Sequence, residues 1–90
     1  ETCYYLRLHA LDKPGVLADV TRVLADMSIS IEAILQKEPH AGEQTVPIII
    51  LTQRVREQNM NSAIARIEKL VSIEGRVMRI RLEHLNSDWK

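Results

Sequence analysis

The fold is decided by the stretch Leu11-Asp12-Lys13-Pro14-Gly15-Val16-Leu17, which joins an alternating segment to one of helical periodicity. Asp12 is a good helix N-cap, since its carboxylate can accept a hydrogen bond from an unpaired backbone N–H. Pro14 suits the first helical turn, and Gly15 lets another molecule approach the backbone closely. The stretch therefore predicts a strand-to-helix turn whose free amides are open to a carboxylate. A capped turn without a ligand is the alternative interpretation.

Regular patterns flank this turn on both sides. Apolar side chains alternate over residues 4–10, which predicts a strand with one buried face. After the turn, helical spacing predicts a helix over about residues 14–27, with its apolar stripe facing the core. The stripe consists of Val16, Leu17, Val20, Val23, Leu24 and Met27.

A second strand and a hairpin follow this helix. Alternation predicts a strand over about residues 29–38, and the turn-forming residues 39–43 predict a hairpin loop. The run 46–51 is apolar on both faces, which is typical of a strand buried on both sides, with Pro47 near its start or at a bulge. One face of the earlier strand would carry Ile29, Ile31, Ala33 and Leu35.

Helical spacing returns in the second half of the chain. Glu57 or Asn59 is the expected N-cap, and residues 73–75 are expected to end the helix, with Gly75 as the turn residue. The apolar stripe of this helix consists of Met60, Ala63, Ile64, Ile67, Leu70 and Val71.

The last strand is predicted over residues 77–83, and the polar tail 86–90 is expected to fray. The element order is therefore β-α-β-β-α-β, with two right-handed βαβ halves joined by a hairpin. We expect an α+β, ferredoxin-like βαββαβ fold, a four-stranded antiparallel sheet with two helices on one face. Residues 1–90 are expected to form a single domain of this kind.

The other face of such a sheet has no cover of its own. Because the run 46–51 is apolar on both faces, some of its isoleucine and leucine side chains must point away from the helices. Exposed apolar clusters usually mark an interface, so we predict a symmetric homodimer through this face or a sheet edge. The expected interface residues are Ile31, Ile49 and Leu51.

Composition excludes several kinds of partner. Twelve Lys and Arg balance twelve Asp and Glu, so we expect no nucleic-acid partner, because such binding usually requires a basic face. Cys3 is the only cysteine, which excludes an internal disulfide. His9, His40 and His84 have no ligand spacing, so we expect no metal site.

Several features bear on the kind of protein from which the chain comes. It has no nucleophile-and-base pattern and no phosphate-binding loop, so we expect no catalytic residues in it. No apolar run is long enough to span a membrane and no secretory signal is visible, so we expect a cytoplasmic location and no membrane partner. The chain begins with Glu1 rather than Met, and we expect it to be part of a longer enzyme.

One long segment resembles the first half of an ACT domain, the small regulatory module of amino-acid metabolism: LRLHALDKPGVLADVTRVLADMSISIEAILQKE. The family pattern is a strand, a D-x-P-G-V/L turn, a helix and an I-x-I strand. The resemblance extends through TVPIIILTQ and AIARIEKL to VMRIRLE. More narrowly, the part that ends in SIEAILQKE is similar to the C-terminal ACT domains of bacterial homoserine dehydrogenases.

The resemblance implies a role in regulation. ACT domains typically bind an amino acid between paired domains and transmit inhibition to an attached catalytic domain. Gln36 stands where threonine-binding relatives have a glutamine that contacts the ligand, and Ser30 stands where many relatives have asparagine. The implied effector site consists of Leu11, Asp12, Pro14, Gly15, Val16, Leu17, Ser30 and Gln36.

The expectation is therefore a homodimeric regulatory domain of a homoserine dehydrogenase, with threonine as the effector. Catalysis and the NAD(P) cofactor would belong to the catalytic domain of the parent chain, and no cofactor is expected in this domain. Two alternatives stay open. One is a dimerisation module without an effector, and the other is the ACT domain of another amino-acid-pathway enzyme such as phosphoglycerate dehydrogenase.

Overall fold

Six elements confirm the predicted βαββαβ order. The computed structural model describes residues 1–39 and 41–82, so the predicted tail 86–90, Glu83 of the last predicted strand, His40 and His84 lie outside the described residues. The elements are β1 (Cys3–Leu11), α1 (Val16–Asp26), β2 (Ile31–Gln36), β3 (Thr45–Thr52), α2 (Glu57–Glu68) and β4 (Ile73–Leu82).

The four strands form one antiparallel sheet in the order β2-β3-β1-β4, so β2 and β4 are its edges. Alternate residues of β1 and β3 are buried with the apolar stripes of both helices in one core, as predicted. The core includes Tyr4, Leu6, Leu8 and Ala10 from β1, Val20 and Leu24 from α1, and Met60 and Ile67 from α2.

Strand β3 is buried on one side only, which corrects the prediction of burial on both sides. Ile49 and Leu51 lie on the side away from the helices and are half-buried. Pro47 lies near the start of the strand, as predicted, and its carbonyl accepts a 3.0 Å hydrogen bond from the Lys37 N–H. The residues buried under the helices are Val46, Ile48, Ile50 and Thr52.

A bulge in β2 makes the predicted face of this strand wrong beyond Ile31. Ile31 pairs with Thr52, but Ala33 pairs with Leu51, so Glu32 is an extra residue without a partner in β3. An extra residue shifts the alternation of side chains by one position. Ile31 therefore packs against the core, whereas Ala33 and Leu35 lie on the other face, where Leu35 is 54% exposed.

Helix α2 ends earlier than its apolar spacing predicts. Its last residue is Glu68, and the Leu70 N–H then donates to the Ile67 carbonyl at 3.0 Å. The Ile73 N–H donates to the Leu70 carbonyl at 3.1 Å, which leads the chain into β4. Val71, expected in the buried stripe, is 93% exposed because it lies in this turn.

Residues 73–75 begin β4 and do not end the helix. Gly75 has a φ of 72°, a left-handed conformation that favours glycine. The register between β1 and β4 shifts between Arg7 and His9, opposite this part of β4. Gly75 therefore belongs to a strand irregularity, where the sequence predicts a turn after a helix.

The two helices are short, at 11 and 12 residues. The N-cap of α2 is Arg56, without a side-chain cap from the described residues, so the prediction of Glu57 or Asn59 as N-cap is wrong. Asn59 Nδ2 instead donates a 3.3 Å hydrogen bond to the Met27 carbonyl beyond α1. In the described part of the chain, neither helix has the length and apolarity needed to cross a bilayer.

Candidate functional site

Gly15 sets the start of α1. It is the N-cap, with a φ of 87° and a ψ of −11°, and the helix begins at Val16. The predictions of Asp12 as N-cap and Pro14 in the first helical turn are wrong, because the left-handed residue places both of them before the helix. Within residues 1–39 and 41–82, no side chain caps this end of α1.

Some backbone N–H groups of this turn already donate hydrogen bonds within the chain. The Asp12 N–H donates to the Gln44 carbonyl at 3.1 Å, and the Lys13 N–H donates at 2.9 Å to the carbonyl two residues earlier. The first helical hydrogen bond comes from the Asp19 N–H, so the amides of residues 16–18 have no partner within the helix. The predicted open amides are therefore limited to the helix end itself.

Two predicted site residues meet in one cleft, although they are far apart in the sequence. Asp12 directly follows β1, and Gln36 is the last residue of β2. They lie on the two sides of the start of β3, since both β1 and β2 pair with that strand. The cleft has a volume of about 610 Å³, in the usual range for small-molecule sites. Its lining consists of Asp12, Gln36, Lys37, Glu38, Pro39 and Val46.

The bulge in β2 decides which way Gln36 faces. Gln36 pairs with Ile48, whose side chain is buried under the helices, so Gln36 lies on the helix side of the sheet. Without the bulge, regular alternation from Ile31 over the same number of residues would place Gln36 on the opposite face. The register of β2 therefore brings this amide to the cleft.

The cleft combines carboxylates and an amide with a buried apolar residue. Asp12 and Glu38 carry the carboxylates, and the amide of Gln36 can both donate and accept hydrogen bonds. Lys37 also lines the cleft, but it lies opposite Pro47, so its side chain continues the alternation to the other side of the sheet. Val46 is 1% exposed. This set of groups suits a small molecule that carries an ammonium group.

Sequence reasoning missed four of the six lining residues, namely Lys37, Glu38, Pro39 and Val46. A signal was present for two of them, because Lys37 and Glu38 directly follow the predicted Gln36 in the sequence. The sequence pattern predicts Val46 only as a buried strand residue. Its place in the lining follows from the pairing of β3 with both β1 and β2.

Ser30 is not brought to the cleft. It directly precedes β2, whereas Gln36 ends that strand, and six residues of extended chain span about 20 Å. The Ser30 carbonyl accepts a 2.9 Å hydrogen bond from the Gln53 N–H, just after the end of β3. The two residues therefore lie at opposite ends of β2.

The remaining predicted site residues surround the turn and do not line the cleft. Val16 is buried in the core, and Leu17 packs against that core. Pro14 and Gly15 are exposed, and the Leu11 N–H is used by the Ser72 carbonyl at 2.8 Å.

The side of the sheet away from the helices, here called the open face, carries two rows of paired residues across all four strands. The predicted interface residues Ile49 and Leu51 lie in its centre, whereas Ile31 packs against the core on the helix side. Met78 and Ile80 on β4 are 53% and 50% exposed. The rows are Ala33, Leu51, Tyr5 and Ile80, and Leu35, Ile49, Arg7 and Met78.

The sheet order, the turn between β1 and α1, and the cleft beside it define a class of protein. Residues 4–72 match the family model of the ACT domain, and the chain belongs to this family. Among curated proteins it is 59% identical over 85 residues to a homoserine dehydrogenase of Methylobacillus glycogenes, covering 94% of this chain and 21% of that protein. It is 50% identical over 86 residues to the homoserine dehydrogenase of Pseudomonas aeruginosa, covering 96% and 20%. The chain thus spans about a fifth of the length of these relatives.

Solved structures agree with these matches. A homoserine dehydrogenase from Thiobacillus denitrificans has a TM-score of 0.82 at 57% identity, with 91% of this chain and 17% of that chain covered. The ACT domain of the GTP pyrophosphokinase of Chlorobium tepidum has a TM-score of 0.68 at 15% identity, with 88% and 97% covered. The similarity to the Chlorobium tepidum domain shows that the two proteins have the same fold.

Proposed function

We propose that this chain is the regulatory domain of a homoserine dehydrogenase and that it binds free threonine, which inhibits the attached catalytic domain. The identity of 50–59% with curated homoserine dehydrogenases favours this enzyme over others of amino-acid metabolism. The NAD(P)-dependent reaction and its cofactor site belong, in this proposal, to the rest of a longer cytoplasmic protein.

One observation carries the proposal, namely that Asp12, directly after β1, and Gln36, at the end of β2, line the same cleft. The ammonium group of an amino acid needs oxygen acceptors, and the Asp12 carboxylate supplies them. The Gln36 amide both donates and accepts, so it suits the hydroxyl group of threonine. These two side chains support a ligand site over a turn that is only structural.

The position of the cleft suits a regulatory role. Gln36 belongs to an edge strand, and both Asp12 and Gln36 are exposed, so a domain that packs beside β2 would also contact the ligand. An effector changes activity only through a difference in its affinity for the active and inhibited forms. Such coupling free energies are typically about 1–3 kcal/mol. The ligand's contacts with a neighbouring domain would supply this difference.

Calorimetric titration of threonine into the chain and into Gln36→Leu tests the proposal. We expect the variant to bind threonine about tenfold more weakly, because an amide partner of the ligand is lost. Gln53→Leu is the matched control, since Gln53 bonds Glu32 on the surface at 3.1 Å and does not line the cleft. If folded wild-type chain gives no heat with threonine, the ligand proposal is contradicted. Equal weakening in both variants would contradict the role of Gln36.

A second candidate function is that the domain holds two copies of the protein together without binding an effector. The open face favours it, because Leu35, Met78 and Ile80 are each at least half exposed in a surface that crosses the whole sheet. Apolar surfaces of this kind usually mark contact with a partner. A second copy of the chain is the simplest partner for such a surface.

Sedimentation equilibrium of Ile80→Lys tests this pairing. The new charge would have to be desolvated in the interface, so we expect a shift towards monomer. Val71→Lys is the matched control, because Val71 is 93% exposed and lies outside the open face. A wild-type chain that stays monomeric at high concentration contradicts pairing. An unchanged dimer in Ile80→Lys contradicts the use of this face.

A further inference from the structure

We infer that two copies of this chain pack through their open faces with their strands running in opposite directions, so that Arg7 of each copy lies on the Tyr5 ring of the other. At the rim of the interface, Lys37 of each copy faces Glu32 of the other. Pairing through the open face is the second candidate function proposed above, on which this orientation rests.

Arg7 carries the only charge among the eight residues of the two rows that cross the open face. Its neighbours across the strands are Ile49 in β3 and Met78 in β4, and its side chain is exposed. A guanidinium group that is covered by apolar side chains alone loses its hydration without compensation. A partner on this face therefore has to offer Arg7 a polar or electron-rich group.

Two symmetric orientations are compatible with sheets that pack face to face with their strands aligned to within about 30°. When the twofold axis runs across the strands and between the two rows, each row lies over the partner's other row. Arg7 then faces the partner's Tyr5, whose aromatic ring attracts a guanidinium group. When the axis runs along the strands, β1 lies over the partner's β3 and Arg7 faces the partner's Ile49. The axis across the strands is thus the one that gives Arg7 a partner.

The two ends of β2 carry opposite charges on the open face. Lys37 directly follows the strand, and its N–H donates to the Pro47 carbonyl at 3.0 Å, so its side chain continues the alternation onto this face. Glu32 lies in the bulge at the other end, where its Oε1 accepts a 3.1 Å hydrogen bond from Gln53 Nε2. Gln53 follows Thr52, which is buried on the helix side, so alternation places Gln53 and the bonded carboxylate on the open face. Reversal of the strand direction brings Lys37 over the partner's Glu32.

Sedimentation equilibrium of variants at Tyr5 and Arg7 tests the central contact. Tyr5→Leu should raise the dissociation constant of the dimer about tenfold, because two symmetric cation–π contacts are lost. Tyr5→Phe is the matched control, since it keeps the ring and should stay within about twofold of wild type. In an Arg7→Met background, Tyr5→Leu should have a much smaller effect, because the two side chains act as a pair. Equal dissociation constants for Tyr5→Leu and Tyr5→Phe would overturn the orientation.

Charge reversal at the rim distinguishes the two axes. Lys37→Glu should raise the dissociation constant about fivefold, because it brings two carboxylates together at each of two exposed contacts. Adding Glu32→Lys should restore the wild-type value. Glu74 lies in the same row as Lys37, on the opposite edge of the sheet, so an axis along the strands would instead let Glu74→Lys restore it.

Rescue by Glu74→Lys, or by neither change, overturns the orientation. Pairing through the open face still stands in that case if Ile80→Lys separates the two copies. Rescue by Glu32→Lys without any effect of Tyr5→Leu would mean that the copies pair through their β2 edges, which also overturns the orientation. A wild-type chain that is monomeric at high concentration overturns both the orientation and the pairing.

Discussion

Glu68, the last residue of α2, accepts a 2.7 Å hydrogen bond through Oε2 from the backbone N–H of Val77 in β4. Val77 is 8% exposed and lies just after Gly75, where the pairing of β4 with β1 is irregular. The carboxylate thus takes the place of a strand carbonyl for this amide and connects the end of the helix to the edge of the sheet.

Glu68→Ala should destabilise the chain, because the Val77 amide loses its partner in a largely buried position. We expect the free energy of unfolding to fall by about 1–2 kcal/mol, with a smaller loss in Glu68→Gln, which keeps an oxygen acceptor. Urea denaturation measures both. Glu74→Ala is the control, since Glu74 is exposed on the same strand, and an equal loss there would contradict a specific role for Glu68.

Thr52 has a similar role in the interior, where its Oγ1 accepts a 3.1 Å hydrogen bond from the Tyr4 N–H. Thr52 is 0% exposed, so Thr52→Val keeps the shape but leaves a buried amide without a partner, and should cost about 1–3 kcal/mol. Thr52→Ser keeps the hydroxyl and should cost about 1 kcal/mol for the lost methyl group. Denaturation curves rank the two variants, and faster hydrogen exchange of the Tyr4 amide in Thr52→Val only would locate the effect.

Tyr4→Phe should leave stability unchanged or raise it by up to about 1 kcal/mol. The Tyr4 hydroxyl is buried and has no hydrogen-bond partner among the described residues, and an unpaired buried hydroxyl is unfavourable. Thermal unfolding of the two proteins measures the difference. A loss of more than 1 kcal/mol would mean that the hydroxyl has a partner, such as a bound water molecule.

Gly15→Ala should destabilise the chain by about 1–2 kcal/mol, since a residue with a Cβ is disfavoured at positive φ. A Cβ atom at Gly15 would meet nothing within 4 Å, so the expected cost comes from the backbone conformation alone. Gly15→Asn should cost less, because asparagine tolerates the left-handed region better. An alanine variant as stable as wild type would show that the turn can adopt another conformation, and urea denaturation decides this.

Much of the fold could be predicted from the sequence, because each element has its own periodicity. The alternation in β1 and the helical spacing of residues such as Val20 and Leu24 depend only on local sequence, and both are confirmed. The errors occur where the position of a side chain depends on the pairing between strands. Glu32 and Gly75 mark irregularities that depend on the register with β3 and β1, and no local pattern reports that register.

Helix ends were also hard to predict. Val71 continues the apolar spacing of α2, yet the turn that leads into β4 places it in solvent. For the candidate site, the resemblance predicts Asp12 and Gln36, whereas the place of Glu38 and Val46 in the lining depends on the pairing of the strands and has no local sequence pattern. Ser30 shows the opposite case, since its position in the family pattern does not bring it near the other residues of the cleft.

The bulge at Glu32 has a consequence for insertions and deletions in this family. Five steps of chain lead from Ile31 to Gln36, whereas four steps of β3 lead from Thr52 to Ile48, so the bulge absorbs one residue. Deleting that residue would give a regular strand in which the glutamine still faces the helices, whereas a regular strand of the present length would turn it to the other face. A related chain with a one-residue gap at Glu32 can therefore keep its glutamine at the ligand cleft.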